Sequence, residues 1–556
     1  MSTVAEPAFS TALASHHSWI GNREVVGRAG TRPAINPATG EVFAHASLLD
    51  AEQARGALTA AQSAFPAWSA LSFHQRSRFL QGVRDLLVAR AEDLARLVER
   101  EQGKPAVEAH AVEIFPALES LKHLALHAEE ALREEAVESQ VFLFTGKDCR
   151  ITYAPLGVVL VITPWNYPFF LALSGVATAL AAGNVVVLKP APATTVVGLE
   201  LGRLFRDAEL PDGVVNVVAV EDALAPALVD DPRLGKIFFV GSAATGRKVM
   251  AGAAKNLTPV VLELGGKDPA VVCRDADLDQ AARGIVWGAF VNAGQTCVSV
   301  ERVYVEASVA EAFIAKVVAE TRRLRLGDPA KGEVDVGAMT TEQQLRIVED
   351  HVVDAVGRGA RVLTGGARLP GPGRFYPPTV LTNVDHSMRV MRDETFGPVL
   401  PIMEVPSLDE AIRLANDSEY GLTASGWTRD PETARRLQER LSAGVVTIND
   451  CVSSLGEPSA PYGGVRRSGF GRAHGVAGLR EMSQVRYTTR DTSGRPMLWW
   501  YPYDAAYRRL MVAAGHALHA PSLWARLRSQ IALAGFGRFW RRVGPIALLR
   551  NVDKLF

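Results

Sequence analysis

From Asp50 to about Glu138 apolar residues recur at helical spacing with charges between them, as at Leu86, Leu87, Leu94 and Leu97. Beyond residue 156 the pattern changes. Short runs rich in Val, Ile and Leu, bounded by Gly, Pro and Asn, alternate with longer helical stretches. They predict strand Val158–Thr163, helix Phe169–Ala182, strand Asn184–Lys189, helix Thr195–Ala208 and strand Val214–Val218. A short helix near Asp222–Val229, strand Lys236–Val240, a Gly-rich turn into a helix ending near Ala254, and strand Val260–Leu264 complete the series. Such alternation implies a parallel, doubly wound sheet, which binds ligands at the carboxyl ends of its strands. A second alternating region, from about Ala270 to Val446, predicts a second α/β domain. Residues 1 to about 35 read as loosely structured, and Asn36-Pro37-Ala38-Thr39-Gly40 as a turn between short strands. No internal repeat or long low-complexity segment is visible.

Residues 151–188 carry no charged side chain, the pattern of a candidate membrane span. Pro155, Pro164, Pro168 and Asn166 interrupt the run, so it reads as buried strand, loop, helix and strand. The last stretch has another character. From Arg495 to Phe556 there are ten Lys+Arg against two Asp+Glu, with aromatics at Trp499, Trp500, Tyr501, Tyr503, Tyr507, Trp524, Phe536, Phe539, Trp540 and Phe556.

Composition narrows the function. The chain has 556 residues, too many for one core, with Lys+Arg and Asp+Glu at 60 each. That balance offers no basic excess for nucleic acid. The four cysteines, Cys149, Cys273, Cys297 and Cys451, are widely spaced without a CxxC pair or a nearby His cluster. They predict no metal site and no disulfide framework, but a reducing, cytoplasmic setting in which one thiol is reactive. Met1–Ile20 has no basic or apolar region of a secretory signal.

Three segments stand out as chemistry: Pro164-Trp165-Asn166-Tyr167-Pro168 after a predicted strand, Leu262-Glu263-Leu264-Gly265-Gly266-Lys267, and Asn292-Ala293-Gly294-Gln295-Thr296-Cys297. A thiolate at Cys297 can add to a carbonyl carbon, and Gly294 suits a loop that presents it. Glu263, beside two glycines, can act as a general base, and the Asn166 amide can donate to an oxyanion. Together with Glu394-Thr395-Phe396-Gly397-Pro398 and Pro461-Tyr462-Gly463-Gly464, these segments resemble the aldehyde dehydrogenase superfamily over roughly residues 35–490. The 34-residue separation of Glu263 and Cys297 matches that family's base-to-nucleophile spacing.

The resemblance implies NAD(P)-dependent oxidation of an aldehyde to an acid. Cys297 is then the nucleophile, Glu263 the base that activates water against a thioester, and Asn166 with the Cys297 N–H the oxyanion hole. Members that release the acyl group to coenzyme A typically lack the Glu, so its presence points to hydrolysis. Thr163, Pro164, Trp165, Lys189, Gly241, Ser242, Gly246, Leu264, Glu394 and Phe396 fall on cofactor positions, with Gly241 to Gly246 opening a helix toward the pyrophosphate. Many NAD-specific members carry a Glu where this chain has Pro192. Without that carboxylate, NADP is expected to be accepted and even preferred. Tyr167, Phe170, Ser174, Thr296 and Val298 are expected to line the aldehyde pocket. Their apolar character favours a neutral aliphatic or aromatic aldehyde. A semialdehyde read by Arg302, and cofactor-free ester hydrolysis, are the alternatives.

The implied organisation is two doubly wound α/β domains plus a β-hairpin oligomerisation arm. Residues 1–137 and 156–262 form the cofactor domain, 263–467 the catalytic domain, 138–155 and 468–491 the arm and return segment, and 492–556 an extension. A homodimer or homotetramer is expected. The extension is expected either to pack on a partner subunit or to touch a membrane surface peripherally. It holds no apolar run long enough to span one.

Overall fold

The computed structural model describes residues 13–139, 146–494, 496, 497, 499–537 and 541. Residues 1–12, part of the expected arm, and Phe539, Trp540 and Phe556 of the extension lie outside them.

The first large sheet has eight strands. Five inner strands are parallel, in the spatial order Val260–Glu263, Leu234–Val240, Val158–Ile162, Val185–Lys189 and Val215–Val217. Every residue of Val158–Ile162 and Val185–Lys189 is buried, because helices cover both faces; each aliphatic side chain so placed contributes roughly 1.5–3 kcal/mol. The intervening helix Phe170–Ala181 is buried on every side, so no position on it has to be polar. This accounts for the uncharged run at 151–188. No helix among the described residues is long and apolar enough to cross a membrane.

The edges correct the expectation for the N-terminus. Ser18–Ile20 and Arg23–Val25 form a hairpin that extends this sheet antiparallel, with Trp19 opposite Val217. Ala14–His16, Val42–Ser47 and Thr31–Ile35 make a separate three-stranded sheet, the last two strands flanking the Asn36–Gly40 turn. Gly469–Phe470 closes the other edge of the large sheet beside Val260–Glu263.

Helices fill residues 51–131, as expected. Capping boxes start two of them, Asp50 with Gln53 and Ser72 with Gln75. The chain leaves the first sheet at Glu263 and enters the second at Asp268. That second sheet runs Arg361–Thr364, Thr379–Thr382, Val399–Val405, Val300–Glu306, Asp268–Val272, Thr423–Trp427 and Val445–Ile448, parallel except at its first strand.

A second unit comprises residues 132–154 and 484–556. In it Lys147–Pro155 pairs antiparallel with Glu135–Ala136 and lies beside Ser483–Asp491, of which residues 484–490 are exposed. Two helices, Ala505–His519 and Leu523–Ala534, pack on each other, leaving Trp500, Tyr501, Tyr503, Trp524 and Ile531 exposed.

Candidate active site

The segment carrying Cys297 is bent by three consecutive left-handed residues, Asn292, Ala293 and Gly294, with φ of 56°, 54° and 72°. Such φ values strain the two residues that have a Cβ, by about 1–3 kcal/mol each, unless surrounding contacts hold them. Those contacts are present. Asn292 Nδ2 donates to the backbone oxygens of Asn166 and Gln295 at 2.9 and 3.0 Å, and its Oδ1 accepts from Gln102 Nε2 at 2.8 Å. The Asn292 N–H donates to the Glu108 carboxylate. Gln295 Nε2 returns to the Asn292 oxygen, while Gln295 Oε1 accepts from the Thr340 N–H. Gly294 is required by proximity as well as by φ, since a Cβ there would stand 2.2 Å from the Gly397 oxygen.

Asn166 lies in the loop after strand Val158–Ile162. Its Nδ2 donates to the Gln295 oxygen at 2.9 Å, and its buried Oδ1 has no protein partner. The loop rests on a buried ion pair. Lys104 Nζ donates to Glu113 Oε1 at 2.8 Å and to the Asn166 backbone oxygen at 2.9 Å, both side chains being fully enclosed. The other Glu113 oxygen accepts the N–H groups of Phe169 and Phe170 at the start of the next helix. Removing one partner of such a pair costs about 3–5 kcal/mol, because the other charge is left buried alone.

Cys297 is the one partly exposed cysteine; Cys149, Cys273 and Cys451 are buried. Burial pushes the Cys297 thiol up to about 12, opposed by a hydrogen bond with Tyr462 Oη at 3.2 Å and reinforced by the Asp268, Glu263 and Glu394 carboxyls. Glu263 ends its strand 3% exposed, with neither oxygen hydrogen-bonded. Burial holds its carboxyl well above the usual range, opposed by Arg472. A Cβ on Gly463 would approach Glu263 Oε1 to 2.7 Å. Tyr462 and Gly463, adjacent in sequence, therefore touch Cys297 and Glu263 respectively.

The expected cofactor positions gather at the carboxyl edge of the first sheet. Ser242 caps the Ala243–Ala253 helix, accepting from the Thr245 N–H, and the Gly241 N–H donates to the Glu263 oxygen. Gly246 packs against Leu264, leaving 2.7 Å for a Cβ. Thr163 Oγ1 is buried and unpartnered. Beyond Pro164, Trp165 meets Phe396 edge to face at 5.5 Å. Glu394 presses on Gly265, and burial pushes its carboxyl up to about 8. Lys267 and Glu301 fix this turn: Lys267 Nζ donates to Glu301 at 2.6 Å, and the Glu301 carboxylate accepts the Thr395 and Phe396 N–H groups. The helix N-terminus and the orphaned hydroxyl suit the phosphates of a dinucleotide, and the Glu394 carboxyl against Gly265 can accept from a ribose hydroxyl.

The reading at Lys189 needs correction. Pro192 brings no carboxylate, as expected, but Asp222 does. Its Oδ1 lies 2.9 Å from Lys189 Nζ, reached from the loop after the neighbouring strand. Position 192 alone is therefore insufficient ground for an NADP preference.

Among the expected pocket residues, Tyr167 Oη and Thr296 Oγ1 bond each other at 2.7 Å, which engages both hydroxyls. Val298 is buried. Phe170 faces the His474 ring at 6.1 Å, and Ser174 meets Ser120 at 3.5 Å. Arg302 is also corrected. It is 1% exposed and donates to the backbone oxygens of Lys267 and Ala415, so it neither lies on the surface nor is free for a substrate carboxylate. Lys104, Glu113, Gln102, Asp222 and the Tyr462 hydroxyl carry no signal of their own in the sequence beyond the Pro-Tyr-Gly-Gly motif. No cluster among the described residues suits a metal ion.

Comparison with known proteins follows the same lines. The model of the aldehyde dehydrogenase family matches residues 25–488. A 4,4'-diapolycopene aldehyde oxidase from Methylomonas sp is 39% identical over 480 residues, covering 86% of this chain and 89% of the relative. A succinate-semialdehyde dehydrogenase [NADP(+)] from Mycobacterium tuberculosis is 37% identical over 81% of this chain and 98% of its own length. The crystal structure of an NAD-dependent aldehyde dehydrogenase from Sinorhizobium meliloti superposes with a TM-score of 0.84 at 36% identity, covering 88% of this chain and 97% of that one.

Proposed function

The chain belongs to the NAD(P)-dependent aldehyde dehydrogenase family, and from that premise we propose that it oxidises a neutral, largely apolar aldehyde to the acid through Cys297, Glu263 and Asn166. The supporting observation is the convergence at Cys297: Asn166 is bonded to Gln295 two residues away, and the Tyr462-Gly463 pair bridges to Glu263. The Cys297 thiolate adds to the carbonyl carbon, and the oxygen that becomes negative is received by Asn166 Nδ2 and the Cys297 N–H. A bound dinucleotide supplies the hydride acceptor. Glu263 then takes a proton from water as it attacks the thioester, and the thiolate leaves.

On this reading residues 156–262, with 1–137, hold the dinucleotide, and 263–467 carry the nucleophile. Residues 138–155 and 468–491 offer the exposed Ser483–Asp491 edge to another copy as a dimer or tetramer arm. The apolar substrate class is supported by the loss of Arg302 as a carboxylate reader and by the aldehyde for which the Methylomonas relative is named. The Mycobacterium relative keeps a semialdehyde as the second reading. Purified protein mixed with either dinucleotide and a panel of long-chain, aromatic and carboxylate-bearing aldehydes tests this. Appearance of reduced cofactor with the apolar members supports the reading, and turnover confined to the semialdehydes refutes the substrate class. Ester hydrolysis without any dehydrogenase activity refutes the reaction.

Both dinucleotides are accepted, with NAD favoured, because a 2′-phosphate must part Lys189 from Asp222. Equilibrium titration is expected to show Asp222→Asn raising NADP affinity relative to NAD by about three- to tenfold, roughly 0.7–1.4 kcal/mol. An unchanged ratio removes Asp222 from the discrimination.

We propose that the basic, aromatic extension lies on an anionic membrane surface through exposed Trp500, Tyr501, Trp524 and Ile531, with Arg508 and Arg509 on the first of its two helices supplying positive charge. Truncation after Asp491 is expected to abolish co-sedimentation with anionic vesicles. Unchanged co-sedimentation rejects the membrane role.

A further inference from the structure

Among the described residues the Cys297 sulfur has one hydrogen-bond partner, the Tyr462 hydroxyl at 3.2 Å. Among the same residues neither carboxylate oxygen of Glu263, the proposed base, has a hydrogen-bond partner. The phenol is also held firmly in place. Tyr462 is 4% exposed, its backbone oxygen accepts the Ala473 N–H at 2.8 Å, and its ring lies 5.4 Å from the His474 ring at an interplanar angle of 31°. His474 is itself buried, with Phe170 on another side. Its Nδ1 has no partner, and burial lowers the imidazole to about 4, so it adds no charge near neutral pH.

We propose that Tyr462 is a catalytic residue of this site: its hydroxyl donates a hydrogen bond to Cys297 Sγ and stabilises the attacking thiolate. The inference rests on the dehydrogenase reading above and deepens it. The surroundings call for such a donor, because burial and the nearby carboxyls oppose ionisation of the sulfur. Glu263, Asp268 and Glu394 are carboxyls, and the Arg472 cation acts on Glu263. A hydroxyl can donate without adding like charge, and hydrogen bonds to an ionised acceptor are about twice as strong as neutral ones. The thiol proton leaves to Glu263 or water, while the phenol keeps its own. When sulfur bonds to the carbonyl carbon its negative charge passes to oxygen and the phenol's hold relaxes. The hold returns when hydrolysis of the thioester releases the thiolate.

Alkylation by iodoacetamide reads the thiolate directly and needs neither aldehyde nor dinucleotide. The full chain and Tyr462→Phe are to be alkylated from pH 6 to 11 and labelling at Cys297 followed by peptide mass. The Phe profile is expected to lie about one unit alkaline, so that alkylation at pH 8 falls about tenfold. Labelling of the buried Cys149, Cys273 and Cys451 reports any misfolding. In that event 3-fluorotyrosine at position 462, a stronger donor of nearly equal shape, supplies the test, with an expected acidic shift. A profile superimposable on that of the parent in a folded variant overturns the proposal. Dehydrogenase turnover fails or persists independently of this result, so the two readings are separable.

Discussion

Cys297→Ala abolishes both aldehyde oxidation and ester hydrolysis, with a loss on the order of 10⁶-fold, the scale seen when a covalent nucleophile is removed. Hydride leaves readily only from a tetrahedral carbon bearing a negative oxygen, and the thiolate creates that carbon. No other cysteine can stand in. Cys451 is committed to the Gly284 oxygen, and Cys149 and Cys273 are buried, whereas Cys297 is partly exposed. The methyl group of Ala fits the space vacated by sulfur, so dinucleotide binding by titration is expected to match the parent. Reduced cofactor above the uncatalysed rate would remove Cys297 as nucleophile.

Glu263→Gln separates the two halves of the reaction. Stopped-flow absorbance is expected to show a burst of about one equivalent of reduced cofactor per site, then turnover slowed by about 10²–10⁴-fold as hydrolysis becomes limiting. The substitution is nearly isosteric and breaks no hydrogen bond, since neither carboxylate oxygen makes one. The pH dependence has a definite sign. A base works when ionised, and burial raises the Glu263 carboxyl well above its usual range. Hydrolysis in the parent therefore climbs with pH through that raised titration, and the climb is absent in Gln. Full steady-state turnover by the variant would assign the base elsewhere.

The inner strands are legible in the sequence because burial on both faces leaves an unbroken apolar run. Ser18–Ile20 is not, since three residues carry no period and Trp19 finds its partner Val217 almost two hundred residues away. The same distinction governs the site. Cys297, Glu263 and Asn166 are marked by motifs, as residue types in a fixed order. Their supports depend on tertiary placement: Lys104 in a Gly-Lys-Pro stretch reads as an ordinary surface lysine, and only folding encloses it with Glu113 beneath Asn166. Arg302 errs the other way, a charge that looks exposed yet satisfies backbone carbonyls inside. Asp222 reaches Lys189 because neighbouring strands end together, and periodicity does not say which loop residue turns toward which strand end.

Glu113 sets how this protein comes apart. With its partner Lys104, which holds the Asn166 oxygen, this carboxylate joins the helical N-terminal region, the loop of Asn166 and the start of the Phe170–Ala181 helix. These pieces cannot fray separately without stranding a charge in the interior. The amides of Phe169 and Phe170 should therefore exchange with solvent deuterium only through openings as large as the whole module, although they sit at a helix start, where no intrahelical carbonyl receives them. Loss of the oxyanion pocket and loss of cooperative structure become a single event on heating, with no long-lived folded but inactive form between them.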